Sequence, residues 1–245
     1  MIDNIWTHYV KEWSALITEN QRNIRFFLND DKNITLLHEN FHTELPPQPY
    51  VGNINAEHYV LMTNPSYHDF DNYYLGLKKI NNESEEIAFK RFNICINQLI
   101  FNNDIQFHLL NEIFLNLPNL AGNKKSMYGW WKQRIFCKNP IVNNESNLFI
   151  LQYFPYRSYH SNLIDKLIKL ECAKKSSIYR NKLLIDAICN NKKIYIMRSL
   201  KRWIEVVPEL YEYGISSNNV FIAKNFQNAT LSKSNMIKFK DYYER

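Results

Sequence analysis

Tyr59-Val60-Leu61-Met62-Thr63-Asn64-Pro65-Ser66 is the stretch on which the fold turns. Its first five residues are apolar, aromatic or β-branched, too short a run for a helix and rich in the types that fill a strand buried on both faces. Pro65 ends the run, because its ring fixes φ, removes an amide proton and holds the preceding Asn64 extended. The stretch reads as a buried strand that delivers a polar amide, Asn64, at its carboxyl end. Three further runs of this kind follow, Leu148 to Tyr153, Ile194 to Arg198 and Val220 to Lys224. Helical patterns lie between and after them, over Glu85 to Phe101, Ser161 to Leu170, Ser177 to Cys189, Leu200 to Tyr213 and from Ser232 onward. Strands separated by helices need crossover connections, so the spacing predicts an α/β fold, a three-layer sandwich around a mainly parallel four-stranded sheet.

Upstream of the first strand, Ile5, Trp6, Tyr9, Val10, Trp13, Leu16 and Ile17 recur at helical spacing with Lys11, Glu12 and Glu19 between them. That pattern predicts an amphipathic helix docked on the body, part of a helical extension over 1–45. Leu45-Pro46-Pro47-Gln48-Pro49-Tyr50-Val51-Gly52 cannot continue it and is expected as a surface loop.

The 245 residues are 45% hydrophobic and carry only 5 glycines and 8 prolines, with no linker-like tract or internal repeat, which favours one domain over 1–245. No leader-like N-terminus and no long apolar run occurs, so the expectation is a cytoplasmic protein that does not engage a membrane. Cys95, Cys137, Cys172 and Cys189 are too dispersed for a zinc knuckle or an iron–sulfur motif and are expected as buried thiols. His68, His108 and His160 are equally scattered, so neither a metal nor a cofactor is expected. The absence of a Gly-rich phosphate loop and of a Gly-x-Ser-x-Gly elbow argues against nucleotide hydrolases and esterases. A net charge of +6 suits a polyanionic partner, although a basic solvated surface carries the same number.

Open parallel sheets bind ligands beyond the carboxyl ends of their strands. The first strand is followed by Asn64-Pro65-Ser66-Tyr67-His68-Asp69-Phe70-Asp71, the second by Gln152-Tyr153-Phe154-Pro155-Tyr156-Arg157, and the fourth by Asn225-Phe226-Gln227-Asn228-Ala229-Thr230-Leu231-Ser232-Lys233. Each loop brings amides, and Ser232 or Ser234 can cap a following helix.

In order and spacing, from Pro46 to Met236, these loops resemble the motifs of the uracil-DNA glycosylase superfamily. Met62-Thr63-Asn64-Pro65-Ser66 is similar to the Asn-bearing form of the first motif, Leu151-Gln152-Tyr153-Phe154-Pro155-Tyr156 to the base-reading motif, and Gln227-Asn228-Ala229-Thr230-Leu231-Ser232 to the last. Met62 stands where the family has glycine, and Gln227 where it has histidine. The resemblance implies a monomeric, metal-independent enzyme that flips a damaged or modified base out of DNA and hydrolyses its glycosidic bond, with a possible place in defence against phage carrying modified cytosines.

In that mechanism Asn64 positions the attacking water, with Asp69 (or Asp71) as the nearby carboxylate. Gln152 reads the base edge, Tyr67, Tyr153 or Phe154 stacks on the base, and Gln227 and Asn228 donate to the departing anion. Leu231 fills the vacated stack, while Arg157, Ser232 and Lys233, flanked by Lys224 and Lys238, meet phosphates, aided by amides at the start of the last helix. Tyr128-Gly129-Trp130-Trp131-Lys132-Gln133-Arg134 interleaves rings and bases as nucleic-acid surfaces do. Each residue also has an ordinary reading: aromatics and Leu231 as core, amides bonded to nearby backbone, charges as solvated surface. Two other functions fit the same residues, a DNA-binding module that has lost catalysis and an interaction or defence-complex subunit that does not touch DNA.

Overall fold

A computed structural model describes residues 4–18, 26, 41–65, 133–158, 164–169 and 171–244. The elements among them are α1 (Trp6–Thr18), β1 (Tyr50–Gly52), β2 (His58–Met62), a 3-10 turn (Glu145–Asn147), β3 (Leu148–Gln152), α2 (Ile164–Leu167), α3 (Glu171–Cys189), β4 (Lys193–Ile196), α4 (Leu200–Val206), α5 (Glu209–Ser216), β5 (Val220–Ala223), β6 (Met236–Lys238) and α6 (Phe239–Tyr243).

The strands form one mixed sheet in the order β1-β3-β2-β4-β5-β6. Its middle, β3-β2-β4-β5, is parallel, with His58 opposite Leu148 on one side and Lys193 on the other. These are the four strands expected from the sequence. The expectation of a four-stranded sheet is corrected to six strands, because β1 and β6 add antiparallel edges against β3 and β5. The stretch from Leu45 to Gly52 is likewise not a surface loop. Residues 45–51 are buried, and the Gln48 amide donates to Pro155 O at 2.8 Å while Pro49 O accepts from the Gln152 amide at 2.9 Å. Prolines that lack a donor can line a strand end provided their carbonyls and neighbours complete the bonds, as here.

Alternation along the strands sorts side chains onto two faces. Tyr59, Leu61, Phe149, Leu151, Ile194, Ile196, Val220 and Ile222 face a core closed by Trp6, Val10 and Trp13 of α1, Leu183, Leu184 and Ala187 of α3, Trp203 of α4 and Phe239 of α6. Buried α1 residues recur at i, i+4 and i+7, the stripe expected of that helix. Val60, Met62, Leu148, Ile150, Tyr195, Met197 and Ala223 face a second core, closed by Ile135, Val142, Ala229, Leu231 and Met236. Both faces are covered, as a parallel sheet requires.

Two helical expectations change. Leu200 to Tyr213 is two helices: Val207 sits at φ −138 and ψ 80 before Pro208, which clears the ring of the proline from the preceding residue and starts α5. The chain after Ser232 does not enter a helix but pairs as β6, and α6 begins only at Phe239. Cys189 is exposed and Cys137 half-buried, against the expectation of buried thiols. The predicted helix over Glu85 to Phe101 lies outside the described residues. Among the described residues no helix is long and apolar enough to cross a membrane.

Candidate functional site

The strand order locates the site before any side chain is considered. From β2 the chain crosses to β3 on one side, returns past β2 to β4 on the other, and continues outward to β5. Connections therefore leave β2 and β4 in opposite directions, which makes their carboxyl ends the switch point at which open sheets of this kind bind ligands. Thr63 and Asn64 follow β2 at that point; Met197, Arg198 and Ser199 follow β4.

The two ends are joined. Met197 N donates to Leu61 O at 3.1 Å, and the hydroxyls of Thr63 and Ser199 lie 2.7 Å apart in a hydrogen bond across the switch point. Ser199 has φ 59 and ψ 36, a left-handed conformation that side chains avoid, at the junction of β4 with α4. Such strain persists where surrounding structure over-determines it, and it gathers at functional turns.

The loop after β3 runs beside the end of β2. Tyr153 N bonds Met62 O at 3.0 Å, Phe154 N bonds Thr63 O at 2.8 Å, and Ser158 N bonds Pro65 O at 3.3 Å. Asn64 is half-buried within this lattice, and its Nδ2 donates to Pro65 O (3.1 Å), Tyr156 O (3.4 Å) and Ser158 Oγ (3.0 Å). The amide group is turned toward the protein by its nitrogen, leaving Oδ1 as the acceptor available to a water. Gln152, opposite Met62 in register, is 4% exposed, and its Oε1 is buried with no hydrogen-bond partner. A buried acceptor without a donor costs about 1–3 kcal/mol.

The loop after β5 closes the rim. Asn225 Oδ1 accepts from the amides of Gln227 (3.0 Å) and Asn228 (3.1 Å), which sets a tight turn with both latter side chains exposed. Arg198 Nη2 donates to Gln227 O at 3.3 Å and Arg134 Nη2 to Asn228 Oδ1 at 3.2 Å, tying this turn to the end of β4.

Asn64, Gln152 and the Gln227-Asn228 turn thus follow or end β2, β3 and β5 on the carboxyl side of one sheet, while several other expected contacts are corrected. Tyr153 is 5% exposed, with Trp203 packed edge-on at 5.4 Å and the Arg180 guanidinium 4.3 Å over its ring. Arg180 also donates to Tyr153 O and pairs with Asn181 Oδ1, and burial pushes its guanidinium pKa down to about 10. Phe154 is fully buried between Phe41 and Tyr156. Neither ring is placed to stack on a base. Leu231 is fully buried, its amide donating to Arg134 O at 2.7 Å and its carbonyl accepting from Ile141 N at 3.0 Å, so it is a core anchor and not a wedge. Arg157, 3% exposed, donates to Gln48 Oε1 at 3.1 Å and holds the 45–51 segment where a phosphate contact was expected. Ser232 is buried in a bridge to Pro140, and no helix amides follow it. Lys233 and Lys224 are exposed beside the third loop, whereas Lys238 reaches Asn218 at the amino end of β5, away from the rim. Tyr67, Asp69 and Asp71 lie outside the described residues, as do His68, His108, His160 and the cluster from Tyr128 to Lys132.

No known protein family, curated protein or solved structure matches this chain.

Ser199 and Arg198 carry no motif that assigns them a role. Their one signal in the sequence is position: Arg198 closes the run that began at Ile194, and Ser199 lies between it and a helix, where the open-sheet rule places ligands.

Proposed function

We propose that this protein is a DNA glycosylase that hydrolyses the bond between deoxyribose and a damaged or modified base held out of the helix. The observation that carries the reading is the buried, donorless Oε1 of Gln152 at the end of β3, one strand away from Asn64 at the end of β2. A nucleobase edge offers an N–H or exocyclic amine of the kind that satisfies such an acceptor, which supports a ligand carrying hydrogen-bond donors at this strand end. Asn64, fixed by three acceptors on its nitrogen, offers Oδ1 to a water that attacks the sugar carbon. A neutral amide orients water without removing its proton, so chemistry rests on positioning and on donors for the departing base, which exposed Gln227 and Asn228 provide. Turnover is expected to be slow.

The second reading, a module that binds DNA without excision, is favoured by the chemistry of the described strand ends: Thr63, Asn64, Gln152 and Ser199 include no carboxylate. One experiment separates them. Duplex and single-stranded DNA carrying uracil, mispaired thymine, hypoxanthine, hydroxymethylcytosine or glucosylated hydroxymethylcytosine is incubated with the protein and treated with alkali to break abasic strands. Breaks on one substrate, reduced about 100-fold by Asn64→Ala and about 10-fold or more by Gln152→Leu, are the expected outcome. Binding without breaks on every substrate selects the second reading, and wild-type rates for Asn64→Ala remove the mechanism.

A further inference from the structure

We infer that Arg134 and Arg198 form an anion site for a phosphate group at the turn Gln227-Asn228, on the carboxyl rim of the sheet near the β2/β4 switch point. The geometry is that of two guanidinium groups set on adjacent residues of one tight turn. Arg198 donates to the carbonyl of Gln227 at 3.3 Å and Arg134 to the side-chain oxygen of Asn228 at 3.2 Å. Both cations are half-buried. Arg134 is held there by its own backbone, because Arg134 O accepts from Leu231 N at 2.7 Å, and Ile141 N and Pro140 continue the pairing with Leu231 and Ser232. Two like charges are thus fixed near each other by core-anchored chain, not by flexible surface arms.

Their partners are neutral. Among the described residues neither arginine is paired with a carboxylate, and Arg198 Nε is buried without an acceptor. Elsewhere cations do find acids: Arg202 meets Asp165 at 2.7 Å, Lys193 meets Glu57 at 2.5 Å and Lys201 meets Glu205 at 3.9 Å. Burial, and then the charge of Arg134, hold the pKa of Arg198 below its ordinary value, so a counter-charge beside it would favour its charged form. An anion supplies it.

A phosphate fits better than a carboxylate. One guanidinium fork already uses both oxygens of a carboxylate, whereas a tetrahedral phosphate presents oxygens to two forks at once. The turn amides of Gln227 and Asn228 are spent on Asn225 Oδ1, so the guanidinium groups carry the binding. The phosphate can belong to a nucleic-acid backbone or to a free phosphorylated molecule, and the site does not depend on any base being excised.

The test uses calorimetric titration of the full chain with inorganic phosphate and with thymidine 5′-monophosphate. Fluorescence anisotropy with an oligothymidylate is followed across a salt series. R134Q and R198Q are compared with K201Q, which removes an exposed lysine on α4 as a control. Each arginine variant is expected to weaken at least one of the three ligands about tenfold or more, with K201Q unchanged. If the backbone is the source, the salt dependence of oligonucleotide binding falls by about one unit of slope per arginine removed; if a free phosphate is, the loss is confined to the two small ligands. Should R198Q fail to fold, by far-ultraviolet circular dichroism, R134Q decides alone. Absence of binding of all three ligands by the wild type, or variants that keep both wild-type affinity and slope, overturns the site. Neither result bears on base excision, which is read by abasic-site formation.

Discussion

Ser199 occupies a backbone conformation suited to glycine, and it does so while its hydroxyl bonds Thr63 between the ends of β2 and β4. Those two facts pull in opposite directions, and substitution separates them. Ser199→Ala loses the hydroxyl and keeps the strain, whereas Ser199→Gly loses the hydroxyl and releases it. Glycine is therefore expected to be more stable than alanine here by about 1–2 kcal/mol, read from urea unfolding midpoints. Equal stability of the two variants would show that the turn carries no strain. Of the site residues, Asn64 and Gln152 were legible in the sequence because proline and strand composition mark where a strand stops. Leu231 and Arg157 were not, because exposure is set by what packs over a loop from elsewhere: the 133–142 segment over Leu231, and Gln48 against Arg157. Nothing in the sequence next to either residue announces those partners.

At the scale of elements, the four parallel strands were legible because each is a run of apolar or β-branched residues buried on both faces. The edge strands β1 and β6 were not. Each is three residues long, and β1 ends in Gly52 while β6 ends in Lys238, residues with low strand preference. Gly52 is required in its place by two constraints together: φ is +104°, and a Cβ there would lie 2.2 Å from the carbonyl oxygen of Leu148. Gly52→Ala is expected to cost about 1–3 kcal/mol from backbone strain alone. The loss should be local. Hydrogen exchange is expected to show Val51 and Asn53 losing protection while β4 and β5 keep theirs, and uniform loss across the sheet would contradict the assignment of β1 as a separable edge. The single helix expected over Leu200 to Tyr213 illustrates the converse error, since apolar periodicity runs through Pro208 although the backbone does not.

For the whole molecule, acid sensitivity follows from the amino end of the sheet. His58 at the start of β2 is stacked on Tyr195 with its Nδ1 3.0 Å from the Tyr195 hydroxyl. Burial lowers its pKa from 6.5, the nearby Lys193 adds to that, and Glu57 only partly opposes it. Since the folded state binds this proton less readily than the unfolded chain, stability is complete above the unfolded value and falls as pH drops from it toward the depressed folded value. Glu57 adds a second loss at lower pH, because hydrogen bonds from Lys193 and Asn147 lower its pKa from 4.5 and that advantage disappears on protonation. Urea midpoints are expected to fall as the pH is lowered below the ordinary histidine value of 6.5, and His58→Gln should flatten that part of the profile while leaving the steeper acid limb. An unchanged slope in His58→Gln would assign the effect to another group.

The position of β2 bears on how the chain is made. Its edges pair only with Leu148–Gln152 and Lys193–Ile196, both far downstream. During synthesis β2 therefore emerges bare on both sides and waits, for a time on the order of ten seconds at ordinary elongation rates, until those partners leave the ribosome. A Tyr-Val-Leu-Met ribbon with two open edges invites pairing with another nascent copy. Yield of soluble protein should thus depend on translation speed and on holding chaperones more than on the stability of the finished fold.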